Sequence, residues 1–262
     1  MRKLLMSVLL SLVLGLPNAR ANSLWLGTDN TNSRPVLNTT LAGVEIGRVN
    51  LTEATGIAID LANNLIYFGT SAGQITGRNL NAPATTVSTI NPATVFGEDM
   101  AFDGTFLWRV DISAQLVLKI NPSNGNIVFS FDPGFTPLGL AWDGANLWVS
   151  QFTANGLVKQ FTPLGAATGN QFITPLGGNT AGGLAFDTSN GTLWLGAFST
   201  VYHLTTTGTL LGSFAVPVPD GRFVDGLEFQ GTRAAIPEPA SVFLLGSCLV
   251  LLGGIVRKAR NR

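Results

Sequence analysis

One cysteine, Cys248, and one histidine, His203, stand in a chain of 262 residues, so no intramolecular disulfide can form and no Cys/His zinc site can be assembled. Only 11% of the residues are charged while glycine is abundant, a balance that argues against a helical bundle and against a disordered chain. The formal net charge is zero, but the charges are unevenly spread. Seven of the fifteen cations sit at the two ends, whereas residues 22–239 hold eight Lys or Arg against all fifteen Asp and Glu, a net charge of −7. A nucleic-acid partner, which needs a basic surface, is thereby disfavoured. Gly-rich phosphate loops and usefully spaced carboxylate pairs are also missing.

The two ends read as addresses. Arg2 and Lys3 precede an apolar run from Leu4 to Leu16, followed by Pro17 and the small-x-small sequence Ala19-Arg20-Ala21. This is the pattern of a secretory signal peptide over residues 1–21, with export by the Sec translocon and cleavage by signal peptidase after Ala21. The apolar run is too short for a transmembrane helix of about 20 residues. At the other end Pro237-Glu238-Pro239 precedes Ala240 to Val256, seventeen residues without a charge, and then the basic cluster 257–262. That run is just long enough to span a bilayer, and the basic cluster is expected to stay cytoplasmic. Cys248 falls inside it as a small apolar residue.

Pro-Glu-Pro, a short apolar helix over 240–256 and a terminal Arg/Lys cluster together resemble the PEP-CTERM sorting signal, here over residues 236–262. The resemblance implies recognition by exosortase, a membrane-embedded enzyme of Gram-negative bacteria that make exopolysaccharide. An inner-membrane-anchored intermediate would precede release to the cell surface or the extracellular, biofilm-type matrix. Pro237, Glu238 and Pro239 would then be read by another enzyme. Both prolines hold the segment extended, which suits entry into a processing cleft.

Between the ends one unit recurs. Gly56-Ile57-Ala58-Ile59-Asp60, Asp99-Met100-Ala101-Phe102-Asp103, Gly139-Leu140-Ala141-Trp142-Asp143 and Gly183-Leu184-Ala185-Phe186-Asp187 each precede a segment with an aromatic residue after its leucine or isoleucine. The final Asp residues lie 43, 40 and 44 apart. A period near 42 with strand, Asp-type turn, strand and two weaker strands is that of a propeller blade. Gly226-Leu227-Glu228-Phe229-Gln230 repeats the first strand without its partner, and Leu24-Trp25-Leu26-Gly27 repeats the partner without the first strand. Pairing the two would close a ring of five blades over residues 22–235 and leave no open edge at the join. The expected fold is therefore an all-β, five-bladed propeller between a signal peptide and one C-terminal transmembrane helix. It resembles bacterial propellers of the NHL, YVTN and SMP-30-like kind.

Trp25, Tyr67, Trp108, Trp148 and Trp194 occur once per blade and are expected to pack between sheets, although sugar stacking is the functional alternative. The repeat Asp residues fit turn capping. Five residues before each repeat end stand Thr55, Glu98, Leu138, Gly182 and Asp225, where the innermost strand borders the channel. Glu98 and Asp225, with Asp99 beside the first, are candidate oxygen ligands for Ca²⁺ at one channel mouth, against a reading as solvated loop acids. No other cofactor is expected. Gly69-Thr70-Ser71-Ala72-Gly73 matches the nucleophile-elbow pattern but falls in a hairpin of the repeat, and His203 sits in a third strand. No catalytic residue is assigned. The expected function is a non-enzymatic binding or structural propeller of the envelope or exopolysaccharide matrix. The alternative, implied by the SMP-30-like resemblance, is a metal-dependent lactonase or lyase outside the cytoplasm.

Overall fold

A computed structural model describes residues 21–27, 35–94, 96–217 and 224–231. The first blade begins with β1 (Ser23–Gly27), β2 (Val36–Thr40) and β3 (Glu45–Val49). The second contains β4 (Gly56–Asp60), β5 (Leu65–Gly69), β6 (Ile75–Asn79) and β7 (Ala82–Ile90), and the third β8 (Gly97–Phe102), β9 (Leu107–Asp111), β10 (Leu116–Ile120) and β11 (Ile127–Phe131). The fourth holds β12 (Pro137–Trp142), β13 (Leu147–Gln151), β14 (Leu157–Phe161) and β15 (Ala167–Ile173), and the fifth β16 (Leu184–Asp187), β17 (Thr192–Ala197), β18 (Thr200–Leu204) and β19 (Leu210–Ala215). The last strand, β20 (Gly226–Gln230), returns to pair with β1, giving the sheet order β20-β1-β2-β3. Five four-stranded antiparallel sheets thus form an all-β propeller closed by its two terminal strands, with Leu24 opposite Phe229 and Trp25 opposite Glu228. Among the described residues there is no helix. Residues 1–20 of the expected signal peptide, including Ala19, and all of the tail, including Pro237-Glu238-Pro239 and 240–256, lie outside the described residues.

In the second to fifth blades the first hairpin is held by its repeat carboxylate. Asp103 Oδ1 accepts from the backbone N–H groups of Thr105 and Phe106, while Oδ2 accepts from Trp108 Nε1 at 2.8 Å. Asp143 repeats the arrangement with Ala145, Asn146 and Trp148. One side chain therefore fixes both the turn and the indole of the following strand. Gly104 and Gly144, with φ of 94° and 101°, take the left-handed position that side chains resist. In the closing blade Gln230 replaces the Asp and accepts from Trp25 Nε1 at 2.7 Å.

The five aromatics bind neighbouring blades together. Trp25 packs with Ile57 and Ile66, Tyr67 with Met100 and Leu107, Trp108 with Leu140 and Leu147, Trp148 with Leu184 and Leu193, and Trp194 with Leu24 and Leu227. Their expected packing role is thus the observed one. The outermost strands face solvent, and each pairs with its inner neighbour through a register irregularity. β7, β11, β15 and β19 carry no charge, so bulges, together with Pro83, take over the edge protection that charges usually give.

Candidate functional site at the propeller axis

Aligned blade by blade, the innermost strands present Gly56, Gly139, Gly183 and Gly226 at one position, and Asp99 in the third blade. The glycines are demanded by crowding. A Cβ on Gly183 would stand 2.6 Å from the Asp225 carbonyl oxygen, and one on Gly226 would stand 2.9 Å from that of Thr55. The exception is fully buried and turned into the axis. Asp99 Oδ2 accepts from the backbone N–H groups of Leu184 at 2.8 Å and Leu140 at 3.0 Å; Oδ1 accepts from Met100 at 2.9 Å and Leu227 at 3.3 Å. Four of the five blades therefore converge on one carboxylate. The second blade joins through Thr55 Oγ1, which donates to the Gly97 carbonyl at 2.9 Å. Burial pushes the Asp99 carboxyl well above the usual carboxylate range, and the four N–H donors pull against that shift because each favours the charged form.

Two further positions break the repeat. The residue after the repeat aromatic is Leu26, Phe68, Val149 or Leu195 in four blades but Arg109 in the third. Its guanidinium lies fully buried against Gly69 and Gly97, and donates to the carbonyls of Thr70 and, at 3.3 Å, Gly73 in the second blade. Desolvation lowers its pKa to about 10, against the attraction of Glu98, Asp111, Glu53 and Asp99, so it stays charged at neutral pH. The last departure is Glu228, in the column of Ala58, Ala101, Ala141 and Ala185. Burial, and then the nearby Asp99, raise its carboxyl well above the usual range.

The sign of that shift gives a test. A carboxyl that binds its proton more tightly when folded contributes stability that is complete below its unfolded value near pH 4, and that contribution is lost as pH rises through the raised value. The domain is expected to melt at a higher temperature near pH 5 than at pH 7. Glu228→Ala, which installs the residue of the other four blades, should raise the pH 7 melting temperature by about 3–6 °C, equivalent to about 1–2 kcal/mol, and weaken the dependence to what Asp99 contributes. A lower melting temperature for this variant at pH 7 would count against the buried-carboxyl account.

The three carboxylates proposed from sequence as Ca²⁺ ligands are not solvated loop acids: Glu98 and Asp225 are buried, as is Asp99. Each Asp99 oxygen is occupied by two N–H donors, so this side chain does not fit the role of cation ligand. Among the described residues no group of three or more His, Cys, Asp or Glu side chains is placed to hold a metal ion. Ser71 lies in the turn between β5 and β6, where its backbone N–H donates to Glu53 Oε1 at 3.0 Å. It is in a strand-to-strand connection, not the strand-to-helix turn of a nucleophile elbow. His203 is half-buried in β18 and stacks on Trp194, ring centroids 4.0 Å apart, with Nε2 at 2.7 Å from Thr192 Oγ1. Burial lowers its pKa, opposed by Asp187. Because Asp187 is engaged by its own longer turn, Trp194 Nε1 is left without the hydrogen bond that Asp103 and Asp143 give their tryptophans.

No family model and no curated protein matches this chain in sequence. Solved structures match it in shape. One is a chain of the nidogen/laminin complex, with a TM-score of 0.55 and 14% identity, covering 80% of this chain and 98% of that one. A second is the glutaminyl cyclase of Myxococcus xanthus, with a TM-score of 0.50 and 18% identity, covering 67% of this chain and 69% of that one. What is shared is the propeller fold. At such identities the likeness reaches the arrangement of blades and stops short of any site, and propellers host unrelated activities.

One more feature of this fold lies on the face where the innermost strands begin. Phe152 and Phe198 follow the second strands of the fourth and fifth blades, and Phe96, whose carbonyl accepts from Ile112 N–H at 2.9 Å, precedes the first strand of the third. All three are on the same face of consecutive blades, and they are 48%, 47% and 41% exposed. The connections around them, residues 91–96, 112–115, 132–136, 152–156, 174–183 and 198–199, contain a single charged residue, Asp132.

Proposed function

We propose that this chain is an exported, non-enzymatic propeller that is sorted by exosortase and holds an uncharged polysaccharide at the cell surface or in the exopolysaccharide matrix of a Gram-negative bacterium. The observation that carries the binding half is the weakly charged set of connections of the third to fifth blades that bears Phe96, Phe152 and Phe198. Large exposed apolar side chains grouped on one face mark interaction sites, and aromatic rings offer flat surfaces for the apolar faces of sugars. Gln115, Thr136, Asn155 and Asn179 stand among them as uncharged hydrogen-bonding groups suited to hydroxyls. With Asp132 the one charge in these connections of the third to fifth blades, a strongly ionic partner gains little beside the three rings. The sorting half rests on Pro237-Glu238-Pro239 ahead of the uncharged run and basic cluster, and on the signal-like start.

One experiment tests both halves. The full chain and its Phe96→Ser/Phe152→Ser/Phe198→Ser variant are expressed in a polysaccharide-producing host and in its exosortase deletion strain, and each fraction is analysed by intact mass. Both proteins are expected outside the cell, trimmed near Pro237 to Pro239, only where exosortase is present. Wild type should remain with the washed polysaccharide, whereas at least ten-fold more of the variant should wash off. Equal retention would remove the face as the binding site. An untrimmed, membrane-held chain in both hosts would remove the sorting reading, and lactone hydrolysis by the purified chain would replace the binding reading with the enzymatic one.

A further inference from the structure

The axis contains a device that no part of the surface reading uses. Backbone N–H groups of Leu140, Leu184 and Leu227, from three different blades, point to one place, together with that of Met100. Each of the three follows a glycine, Gly139, Gly183 or Gly226, that lets the strands approach closely. Converging N–H groups form a concave nest of partial positive charge, the kind of surface that captures anions. The third blade alone replaces that glycine with a side chain, and the side chain is a carboxylate whose partners lie 41, 85 and 128 residues away in sequence.

We propose that the propeller axis is an anion-binding site for a small carboxylate, and that Asp99 is its built-in ligand. The nest is made by the ring, because no single blade supplies more than one of its donors. Its occupant is required by the ring, because buried N–H groups without an acceptor are among the most costly features of a folded chain.

The experiment removes the ligand and keeps the nest. Asp99→Gly gives the third blade the residue of the other four, and the probe is sodium formate, the smallest carboxylate, titrated into the full-length variant while its melting temperature is followed. Formate is expected to raise the melting temperature of Asp99→Gly saturably in the millimolar range and to leave wild type unchanged. Sodium chloride at the same ionic strength and neutral formamide should each recover less than a fifth of that rise. Asp99→Asn, whose amide fills the space, should respond at least ten-fold less to formate. Should Asp99→Gly fail to fold in plain buffer, the same comparison is read as folded protein recovered on dilution from denaturant into each additive. Absence of a saturable formate effect in either form overturns the proposal, as does an equal effect of chloride.

Discussion

Asp99→Ala is expected to destabilise the domain by about 3–5 kcal/mol at pH 7, which for a propeller of this size is a fall of roughly 10–15 °C in melting temperature. The variant deletes an acceptor, and the loss falls on the partners. The N–H groups of Met100, Leu140, Leu184 and Leu227 remain buried in the crowded axis, each having lost a bond of 2.8–3.3 Å. An unsatisfied buried donor costs about 1–3 kcal/mol, and water entering the vacated space recovers only part of the sum. Asp99→Asn is expected to fall between wild type and Asp99→Ala. It keeps one oxygen for two donors but turns an amide NH₂ towards the others. Thermal melts of the three proteins, with hydrogen exchange at Leu184 and Leu227 as a local readout, check the ranking. An Asp99→Ala protein that melts with wild type would mean that the axis is wet and the carboxylate ornamental.

How much of this was legible in the residues divides along the line between local and convergent structure. The blades were legible because Asp103 and Asp143 build their turns from side chain to backbone within three residues and reach their own tryptophan five residues on. Ring closure was legible as well, since Gly226–Gln230 and Ser23–Gly27 each held the half of a hairpin that the other lacked. The axis was not. Glu98, Asp99 and Asp225 read as channel residues, but their sequence positions suggest a shared, accessible mouth. In the fold these acids are buried, and Asp99 faces donors from strands up to 128 residues away. A signal was present in the columns of the repeat: one Asp among glycines, one Glu among alanines and one Arg among apolar residues. A polar residue in a column that four blades keep small or apolar marks a place where local preference has been set aside for a tertiary purpose. For His203 the residues give no more than a third strand, and only the register sets it opposite Trp194.

The second large effect is expected at Arg109. Arg109→Leu installs the residue that Leu26 and Leu195 represent in the same column, so propensity and most of the volume are preserved, yet a loss of about 3–5 kcal/mol is expected. The guanidinium is attracted by Glu98, Asp111, Glu53 and Asp99, and it ties the third blade to the Thr70 and Gly73 carbonyls of the second. Removing it withdraws a positive charge from the buried Glu98, Asp111 and Asp99, and losing such an attraction costs more than its own net worth because desolvation has already been incurred. Arg109→Lys should recover only part of the loss, since one ammonium cannot span both carbonyls with the geometry of the planar fork. The decisive comparison adds Glu98→Leu, the residue that Leu138 represents in the fourth blade. If the cost of Arg109→Leu arises from uncompensated buried charge, the double variant should be at least 1 kcal/mol more stable than Arg109→Leu alone. Strictly additive losses in denaturant melts of the four proteins would instead assign the cost to the carbonyl contacts and the packing of the arginine stem. Either outcome says whether the third blade departs from its neighbours to balance charge or to brace the second blade.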